Sequence, residues 1–278
     1  MSRILLNGDL HGNFHELIHL QQEAIKANLG IDLCAQVGDF GFYERCFSTL
    51  SKMNISKFPI KTIAIDGNHC DHDWLKKQDY KLWEEKHNLF YKPRGTIEEI
   101  DGSTIAFLGG ALNVDRAQEG SINKRTTNYI LDVEVHEALE KFIKYPQIDL
   151  LVTHTCPHSC GVGMVGHPYF FESIEKFCHD KGHSTGRNED CGDGALTKLY
   201  RGLKVNNVKI DNWIFGHFHQ LHYKKVDDTH FYCIGSSDIS DGKYTKNPFI
   251  YDTQTKKVEW LDKVELNTFT GHHKTRLC

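Results

Sequence analysis

The sequence predicts an α/β fold in which two mixed sheets pack face to face with helices outside, a four-layer α/β/β/α sandwich. Three observations predict it. In the first half, short apolar β-prone runs alternate with helical periodicity, the rhythm of a parallel sheet. Later segments have the pattern of antiparallel hairpins, so the sheets should be mixed. Polar residues of metal-binding type also follow several apolar runs, where parallel strands would end.

The first half should contain three strands and two helices. Apolar runs predict strands at 4–6, 33–37 and 60–65. Between the first two, apolar residues such as Phe14, Leu17 and Ile25 recur at helical spacing up to Leu29, and Gly30 is well placed to end that helix. A second helix is predicted over about 44–53. These elements form a βαβαβ unit, whose crossovers are almost always right-handed.

The second half mixes hairpins with further parallel elements. Residues 96–100 and 103–108 flank an Asp-Gly turn and predict a hairpin. A helix is predicted over 132–145, with Val135, Leu139, Phe142 and Ile143 on its apolar face. Strands are expected at 150–152 and 213–215, and two more hairpins at 221–234 and 248–261. We expect one domain over residues 1–266, with a lid-like insertion at about 156–195, and a polar C-terminal tail over 267–278.

Composition limits the class of protein. A chain of 278 residues with 39% hydrophobic residues can bury a full core. Its formal net charge of −4 disfavours nucleic acid as a partner without excluding it. No apolar stretch reaches the roughly 18 to 20 residues that span a bilayer, and the first strand leaves no room for a signal peptide, so we expect a cytoplasmic protein without membrane contact. Nine cysteines, an odd number, suggest reduced thiols.

Five short segments carry metal-ligand side chains, each directly after an apolar run. One such segment alone is weak evidence, because Gly, Asn and Asp form turns and a lone His at a strand end is usually a core residue. Five together favour a metal site with oxygen and nitrogen ligands. The segments are Gly8-Asp9-Leu10-His11, Gly38-Asp39, Gly67-Asn68-His69, Thr153-His154 and Gly216-His217-Phe218-His219.

The spacing within two of these segments also has physical content. In an extended segment, residues i and i+2 project to the same side, so Asp9 with His11, and His217 with His219, could approach one metal region together. The adjoining glycines would let the backbone turn sharply near the charged centre.

The ordered motifs Asp-x-His, Gly-Asp, Gly-Asn-His, His and Gly-His-x-His resemble the calcineurin-like metallophosphoesterase superfamily over residues 9–219. The resemblance implies the same sandwich architecture and two divalent metal ions, with manganese favoured over iron, zinc or nickel. It further implies attack by a metal-bridging hydroxide, and a general-acid or phosphate-binding role for His69. By the same resemblance, one ion would be held by Asp9, His11, Asp39 and His219, and the other by Asp39, Asn68, His154 and His217, with Asp39 bridging.

Substrate recognition is less clearly marked. The protein Ser/Thr phosphatase branch of this superfamily continues Gly-Asp towards an Asp-Arg-Gly motif, whereas this chain has Phe40-Gly41-Phe42-Tyr43 and lacks that Arg. It looks more like a group of bacterial and phage phosphoesterases. Arg116, Lys124 and Arg125 are candidates for binding a substrate anion, and a solvated basic stretch is an equal alternative. Phe40, Phe42 and Tyr43 could stack on a base or belong to the core.

The segment 156–191 is rich in Cys and His and offers two interpretations. A structural zinc site would use ligands among its four Cys and four His residues, but their spacing repeats no Cys-x-x-Cys pair. A glycine-rich lid over the substrate pocket is favoured because long loops at this edge usually carry function.

The sequence therefore predicts a dinuclear metal-dependent phosphoesterase, acting on a small phosphodiester or phosphomonoester with a nucleotide as a candidate. Two alternatives stay open. One is a metal-dependent nuclease acting on a nucleic-acid backbone, and the other is a non-enzymatic interaction module that keeps the metals. Oligomeric state is not encoded in any recognisable pattern.

Overall fold

The computed structural model describes residues 2–53, 56–112, 129–162, 191–235 and 249–260. Its strands are β1 (Arg3–Asn7), β2 (Leu33–Gln36), β3 (Lys61–Ala64), β4 (Leu89–Tyr91), β5 (Thr96–Ile100), β6 (Ser103–Leu108), β7 (Gln147–Thr153), β8 (Lys209–Phe215), β9 (His222–Val226), β10 (Thr229–Cys233), β11 (Phe249–Asp252) and β12 (Lys257–Trp260). Its helices are α1 (Phe14–Lys26), α2 (Glu44–Lys52), α3 (His72–Leu75), α4 (Tyr80–His87), α5 (Asp132–Phe142) and α6 (Gly194–Val205).

The strands form two six-stranded sheets, both mixed. The first sheet has the order β12-β11-β1-β2-β3-β4, and the second has the order β5-β6-β7-β8-β10-β9. Strands β1 to β4 are parallel neighbours, whereas β11 pairs antiparallel with β1 and β12 pairs antiparallel with β11. In the second sheet β6, β7, β8 and β10 are parallel, and the antiparallel β5 and β9 form its edges.

Three buried clusters define the layers of the sandwich. Alternate residues of β1 face opposite ways: Ile4 and Leu6 pack between the two sheets, whereas Leu5 packs under α1 and α2. The central cluster joins both sheets, for example Val37 with Val152. A third cluster packs α5 and α6 on the outer face of the second sheet. The predicted α/β/β/α arrangement is thus confirmed, because each sheet buries both of its faces.

Several predicted boundaries need correction. Helix α1 ends at Lys26 and not near Leu29, because Asn28 adopts a left-handed conformation with φ 51° and the Leu29 N–H bonds back to the Ala24 carbonyl. Ile25, within the last turn of α1, is 55% exposed and does not face the core as predicted. Ile143 lies beyond the end of α5 and is 40% exposed.

The structure also contains elements that periodicity did not predict. Helices α3 and α4 and strand β4 are too short to show a repeat, and α6 begins within the segment expected to be a lid. Helix α6 is capped by Asp193, whose side chain accepts a hydrogen bond from the Ala195 N–H. It therefore begins where the sequence had suggested only loop.

The cysteines divide into two groups. Six described cysteines are outside any disulfide, and two of these, Cys156 and Cys160, are buried in the outer cluster beside α6. Cys46 is disulfide-bonded, so the expectation of reduced thiols is wrong at this position. Within the described ranges, no helix combines the length and apolar character needed to cross a membrane. The predicted tail, most of the predicted lid and its residues His167, Cys178, His179 and His183 lie outside the described residues.

Candidate metal centre

Seven predicted ligand residues follow the carboxyl ends of five strands, three in one sheet and two in the other. Because β1, β2 and β3 are parallel neighbours, as are β7 and β8, each group of loops opens at one edge of its sheet. The loops after β1, β2 and β3 supply four ligands and the loops after β7 and β8 supply three. The residues are Asp9, His11, Asp39, Asn68, His154, His217 and His219.

The outer part of the site contains two imidazoles and one carboxylate. His11 Nε2 lies 3.4 Å from His219 Nε2, and His219 Nε2 lies 3.6 Å from Asp9 Oδ1. The ligand atoms of these three residues lie within 4.8 Å of one another. The His11 and His219 side chains are 24% and 41% exposed, so this part of the centre faces solvent.

The inner part is buried and is organised around the Asn68 side chain. Asn68 Oδ1 lies 3.0 Å from His154 Nε2 and 2.9 Å from His217 Nδ1. Asn68 and His154 are almost fully buried. An amide oxygen facing two imidazole nitrogens is a donor set suited to a borderline divalent cation.

Asp39 lies between the outer and inner parts. Its Oδ2 atom is 3.9 Å from His11 Nε2 and 3.2 Å from His154 Nε2. Its Oδ1 atom accepts a hydrogen bond of 2.8 Å from the His69 N–H. One carboxylate oxygen is therefore fixed by the backbone, which leaves the other directed towards both sets of imidazoles. A second group of possible ligands joins Asp39 with Asp9 and His154.

Hydrogen bonds across the two sheets orient the ligands. His154 Nδ1 lies 2.9 Å from the Val37 carbonyl oxygen, which can only accept, so Nδ1 carries a proton and Nε2 is the nitrogen that faces the site. The His217 N–H donates to Asp9 at 3.0 and 3.1 Å from its two carboxylate oxygens. A carbonyl after β2 in the first sheet thus orients His154 of the second sheet, and a backbone N–H after β8 in the second sheet orients Asp9 of the first.

Burial and mutual charge shift the pKa values of these groups. Burial raises the pKa of Asp9 to about 7, opposed by His154 and reinforced by Asp39. Burial would also raise the pKa of Asp39, but the His154, His11 and His69 imidazoles together hold that pKa well below its usual range. Burial lowers the pKa of His154, yet Asp39 raises it to about 9. Burial and the neighbouring His154 hold the pKa of His217 well below its usual range.

These shifts indicate how the site fits a cation. Two buried carboxylates repel each other, and protonated His154 compensates only one of them. A divalent ion ligated by neutral His154 would supply the missing positive charge and release that proton. The donor set of this chain therefore fits divalent metal ions.

The backbone at the ligands is left-handed and not extended, which corrects the predicted spacing argument. The φ angles are 49° at Asp9 and at His11, 48° at Asp39, 70° at His217 and 53° at His219. Non-glycine residues adopt this region rarely, and such residues cluster at functional sites where the surroundings hold them. Tight turns, and not alternation along a strand, bring paired ligands together here.

Gly38 and Gly67 are each required beside a ligand, for different reasons. Gly38 has φ 103°, and a Cβ there would lie 2.3 Å from His154 Nδ1. Gly67 has no positive φ, but its Cβ would lie 2.2 Å from Asp39 Oδ1. The predicted role of Gly67 in a sharp turn is thus replaced by a role in close packing against a ligand.

His69, the predicted general acid, lies beside the donor cluster. Its ring centroid is 5.2 Å from that of His11, and the residue is partly exposed. The side chain of Asp71, two residues further along the chain, accepts a hydrogen bond from the Trp74 N–H and caps α3. His69 therefore sits at the solvent side of the cluster, and its N–H is committed to Asp39.

The other sequence-predicted positions fall into two groups. Phe40 and Phe42 are fully buried in the cluster under α1 and α2, so the core alternative is correct and the base-stacking alternative is wrong for both. Tyr43 packs against the same cluster. The candidate anion-binding residues Arg116, Lys124 and Arg125 lie outside the described residues.

Sequence reasoning did not single out one buried ionic cluster beside the site. Asp66, at the end of β3, is fully buried and pairs with Arg94, whose guanidinium Nη2 lies 2.9 Å from Asp66 Oδ2. Asp66 follows an apolar strand as the predicted ligands do, so its position in the sequence could have marked it as a candidate. No local sequence pattern marks Arg94, because its partners are distant in sequence.

Comparisons with known proteins agree with this geometry. The model of a family described as calcineurin-like phosphoesterase matches residues 2–221. A lariat debranching enzyme of Schizosaccharomyces pombe is 23% identical in a 207-residue alignment that covers 68% of this chain and 41% of that protein. The chain thus spans about two fifths of the length of this curated relative.

Solved structures share the fold. The protein TT1561 of Thermus thermophilus superposes with a TM-score of 0.55 and 17% identity, covering 94% of this chain and 98% of that one. Another solved structure superposes with a TM-score of 0.60 and 15% identity over the same shares of the two chains. At this level of identity the similarity concerns the fold alone.

Proposed function

This chain belongs to the calcineurin-like phosphoesterase family, and we propose that it is a metal-dependent phosphoric ester hydrolase with two divalent ions. The proposed substrate is a small phosphodiester or phosphomonoester, with a nucleotide as the leading candidate. The proposed ligands are the seven residues of the candidate metal centre, with Asp39 shared. Manganese is the proposed metal, with iron, zinc and nickel as alternatives.

One observation carries this proposal. The same oxygen of Asp39 faces His154 at 3.2 Å and His11 at 3.9 Å, so a single carboxylate joins the buried and exposed donor groups. Divalent ions held by these two donor groups would lower the pKa of water to near neutrality and neutralise charge on a phosphoryl group. Asp39 is the residue placed to contribute to both groups.

The protein groups have distinct proposed roles. The inner donors are buried and hold their geometry through His154 and the Val37 carbonyl, so they serve as a rigid base for the site. The outer donors, His11 and His219, are exposed and mark the side from which substrate enters. His69, on that same side, would give a proton to the departing oxygen, since a histidine can exchange protons near neutral pH.

The test is a hydrolysis screen with metal counting. Purified protein is loaded with manganese and assayed against cyclic nucleotides, mononucleotides, phosphoproteins and oligonucleotides. We expect two metal equivalents and turnover of at least one small ester. A matched Asp149→Asn variant, changed at a buried carboxylate outside the site, should behave as wild type. Two bound metals without turnover of any ester would instead support a non-enzymatic interaction module.

A nuclease is the second candidate, and the specific observation that favours it is the relative from Schizosaccharomyces pombe named as a lariat debranching enzyme. The net charge of −4 argues against broad attraction to a nucleic-acid backbone. Hydrolysis of oligonucleotides with a steep salt dependence would select the nuclease, because phosphate contacts release counterions. Equal rates at low and high salt would select the small-ester hydrolase.

The domain organisation is also a proposal. The two ends of the predicted insertion meet beside the site: Pro157 forms a bridge with Asp193, and the Asp193 N–H donates to the Cys156 carbonyl at 2.7 Å. This supports an insertion within one domain over residues 1–266. The cytoplasmic location, the lid, the competing zinc site and the tail over 267–278 remain predictions.

A further inference from the structure

A buried ionic cluster lies next to the loop that carries Asn68 and His69. The guanidinium of Arg94 donates through Nε and Nη2 to Asp66 Oδ2 at 3.0 and 2.9 Å. The Tyr91 hydroxyl donates to Asp66 Oδ1 at 2.9 Å, and His72 Nε2 lies 3.0 Å from Asp66 Oδ2. Asp66 is 0% exposed and Arg94 is 7% exposed, so both charges depend on this pairing.

The other end of the guanidinium reaches the start of α5. Arg94 Nη1 donates to Glu134 Oε2 at 2.7 Å and to the Tyr129 carbonyl at 2.9 Å. Glu134 in turn accepts a hydrogen bond from the Leu131 N–H. Arg94 therefore connects the loop after β3, in the first sheet, to a helix that covers the second sheet. Its partners lie 28 and 40 residues away in sequence.

The backbone from Asp66 to the metal ligands is held by close contacts along its length. Asp66 directly precedes Gly67, and its carbonyl accepts a hydrogen bond from the Gly110 N–H at 3.0 Å. A Cβ at Gly109 would lie 2.5 Å from Asp66 Oδ1. Two residues further on, the Asn68 amide faces the inner imidazoles, and the next N–H, of His69, bonds to Asp39.

We propose that Arg94 and Asp66 are positioning residues, whose ion pair holds the loop of Gly67, Asn68 and His69 in the geometry that completes the metal centre. A guanidinium suits this task because its fixed planar donors can bind one Asp66 carboxylate oxygen through two N–H groups and still reach Glu134 through Nη1. The inference rests on the proposed metal role of Asn68 and adds the residues that act through it. Neither Arg94 nor Asp66 is proposed to contact metal or substrate.

A matched pair of substitutions separates positioning from general stability. Asp66→Asn removes the charge at the cluster, whereas Asp149→Asn removes the charge of another buried carboxylate, which pairs with Lys256 at 3.0 Å. Asp149 lies five residues before His154 along β7 and its extension, roughly 16 Å away at about 3.3 Å per residue. Arg94→Lys is the second test variant, because it keeps the charge but loses the planar guanidinium that binds Asp66 and Glu134 at the same time.

The first measurement is the exchange rate of the His69 amide hydrogen in metal-free protein. This hydrogen bonds to Asp39, so a displaced loop should expose it. We expect faster exchange in Asp66→Asn and Arg94→Lys, and wild-type exchange in Asp149→Asn. The measurement needs neither metal nor turnover. A wild-type protein that binds no metal would therefore contradict the proposed function while the exchange result still decides the role of the pair.

The second measurement is metal affinity by titration calorimetry with manganese. Loss of a partner that orients ligands typically weakens metal binding or activity about 10- to 100-fold, and we expect that range for Asp66→Asn. Arg94→Lys should fall between Asp66→Asn and wild type. Wild-type His69 exchange and wild-type manganese affinity in both variants would overturn the inference. The inference would also be overturned if Asp149→Asn changed His69 exchange and manganese affinity as much as Asp66→Asn does, because a general loss of stability would then explain both variants.

Discussion

Replacing Gly67 with alanine should disrupt the metal centre through a single methyl group. An alanine Cβ at this position would lie 2.2 Å from Asp39 Oδ1 and 2.5 Å from the Asp39 backbone nitrogen. Ordinary van der Waals contact begins at 3.4 Å, so the carboxylate has to move by about 1 Å. It cannot do so freely, because Oδ1 holds the His69 N–H and Oδ2 faces His154.

Both stability and metal binding should respond. Overpacking of a close contact typically costs about 1 to 3 kcal/mol. For a chain of this size, each kcal/mol lowers the melting temperature by about 2 to 4 °C. Displacement of Asp39 should also weaken manganese binding, and a misplacement of about 1 Å at a catalytic group can cost about 100-fold in rate. The expected phenotype of Gly67→Ala is therefore a modest thermal shift with a large loss of function.

The assay combines calorimetric manganese titration, thermal unfolding of metal-free protein, and turnover of the ester found in the substrate screen. Gly194→Ala is the matched control. A Cβ at Gly194, the first residue of α6, meets no atom within 4 Å, so this variant should keep wild-type affinity and stability within about 1 kcal/mol. Wild-type manganese affinity in Gly67→Ala would refute the packing argument, because Asp39 would then tolerate a contact that should displace it.

Three further outcomes are expected. Asp39→Asn should lose more manganese by elemental analysis than His11→Ala, since Asp39 faces both donor groups; two full equivalents in Asp39→Asn would contradict sharing. His69→Ala should keep both metals but slow esters with alkoxide leaving groups by about 10²- to 10⁴-fold, and nitrophenyl phosphate much less; equal slowing would exclude the general-acid role. Arg94 and His72 hold the pKa of Asp66 well below its usual range despite burial, so its stabilising contribution is present above about pH 4 and lost as pH falls further. As the pH falls below about 4, the free energy of unfolding should therefore decrease less in Asp66→Asn than in wild type. Identical dependence of unfolding free energy on pH in the two proteins would contradict this role of Asp66.

The sequence by itself determined the elements that depend on local pattern. The hairpin of β5 and β6 appears at its predicted residues, because an Asp-Gly turn between two β-prone runs specifies it within a few positions. The candidate metal ligands were also accessible from sequence. Each follows a buried apolar run, and parallel strands in one sheet end at the same edge.

Only the tertiary structure decided the contacts between distant segments. No local pattern pairs Arg94 with Asp66 and Glu134, because a charge can be compensated by any partner that the folded chain brings close. The left-handed backbone at Asp9 and His11 likewise depends on hydrogen bonds to the neighbouring β2 loop, where Asp39 lies. Spacing along the chain fixes which side chains are available near a strand end, whereas sheet register and cross-sheet packing fix the distances between them.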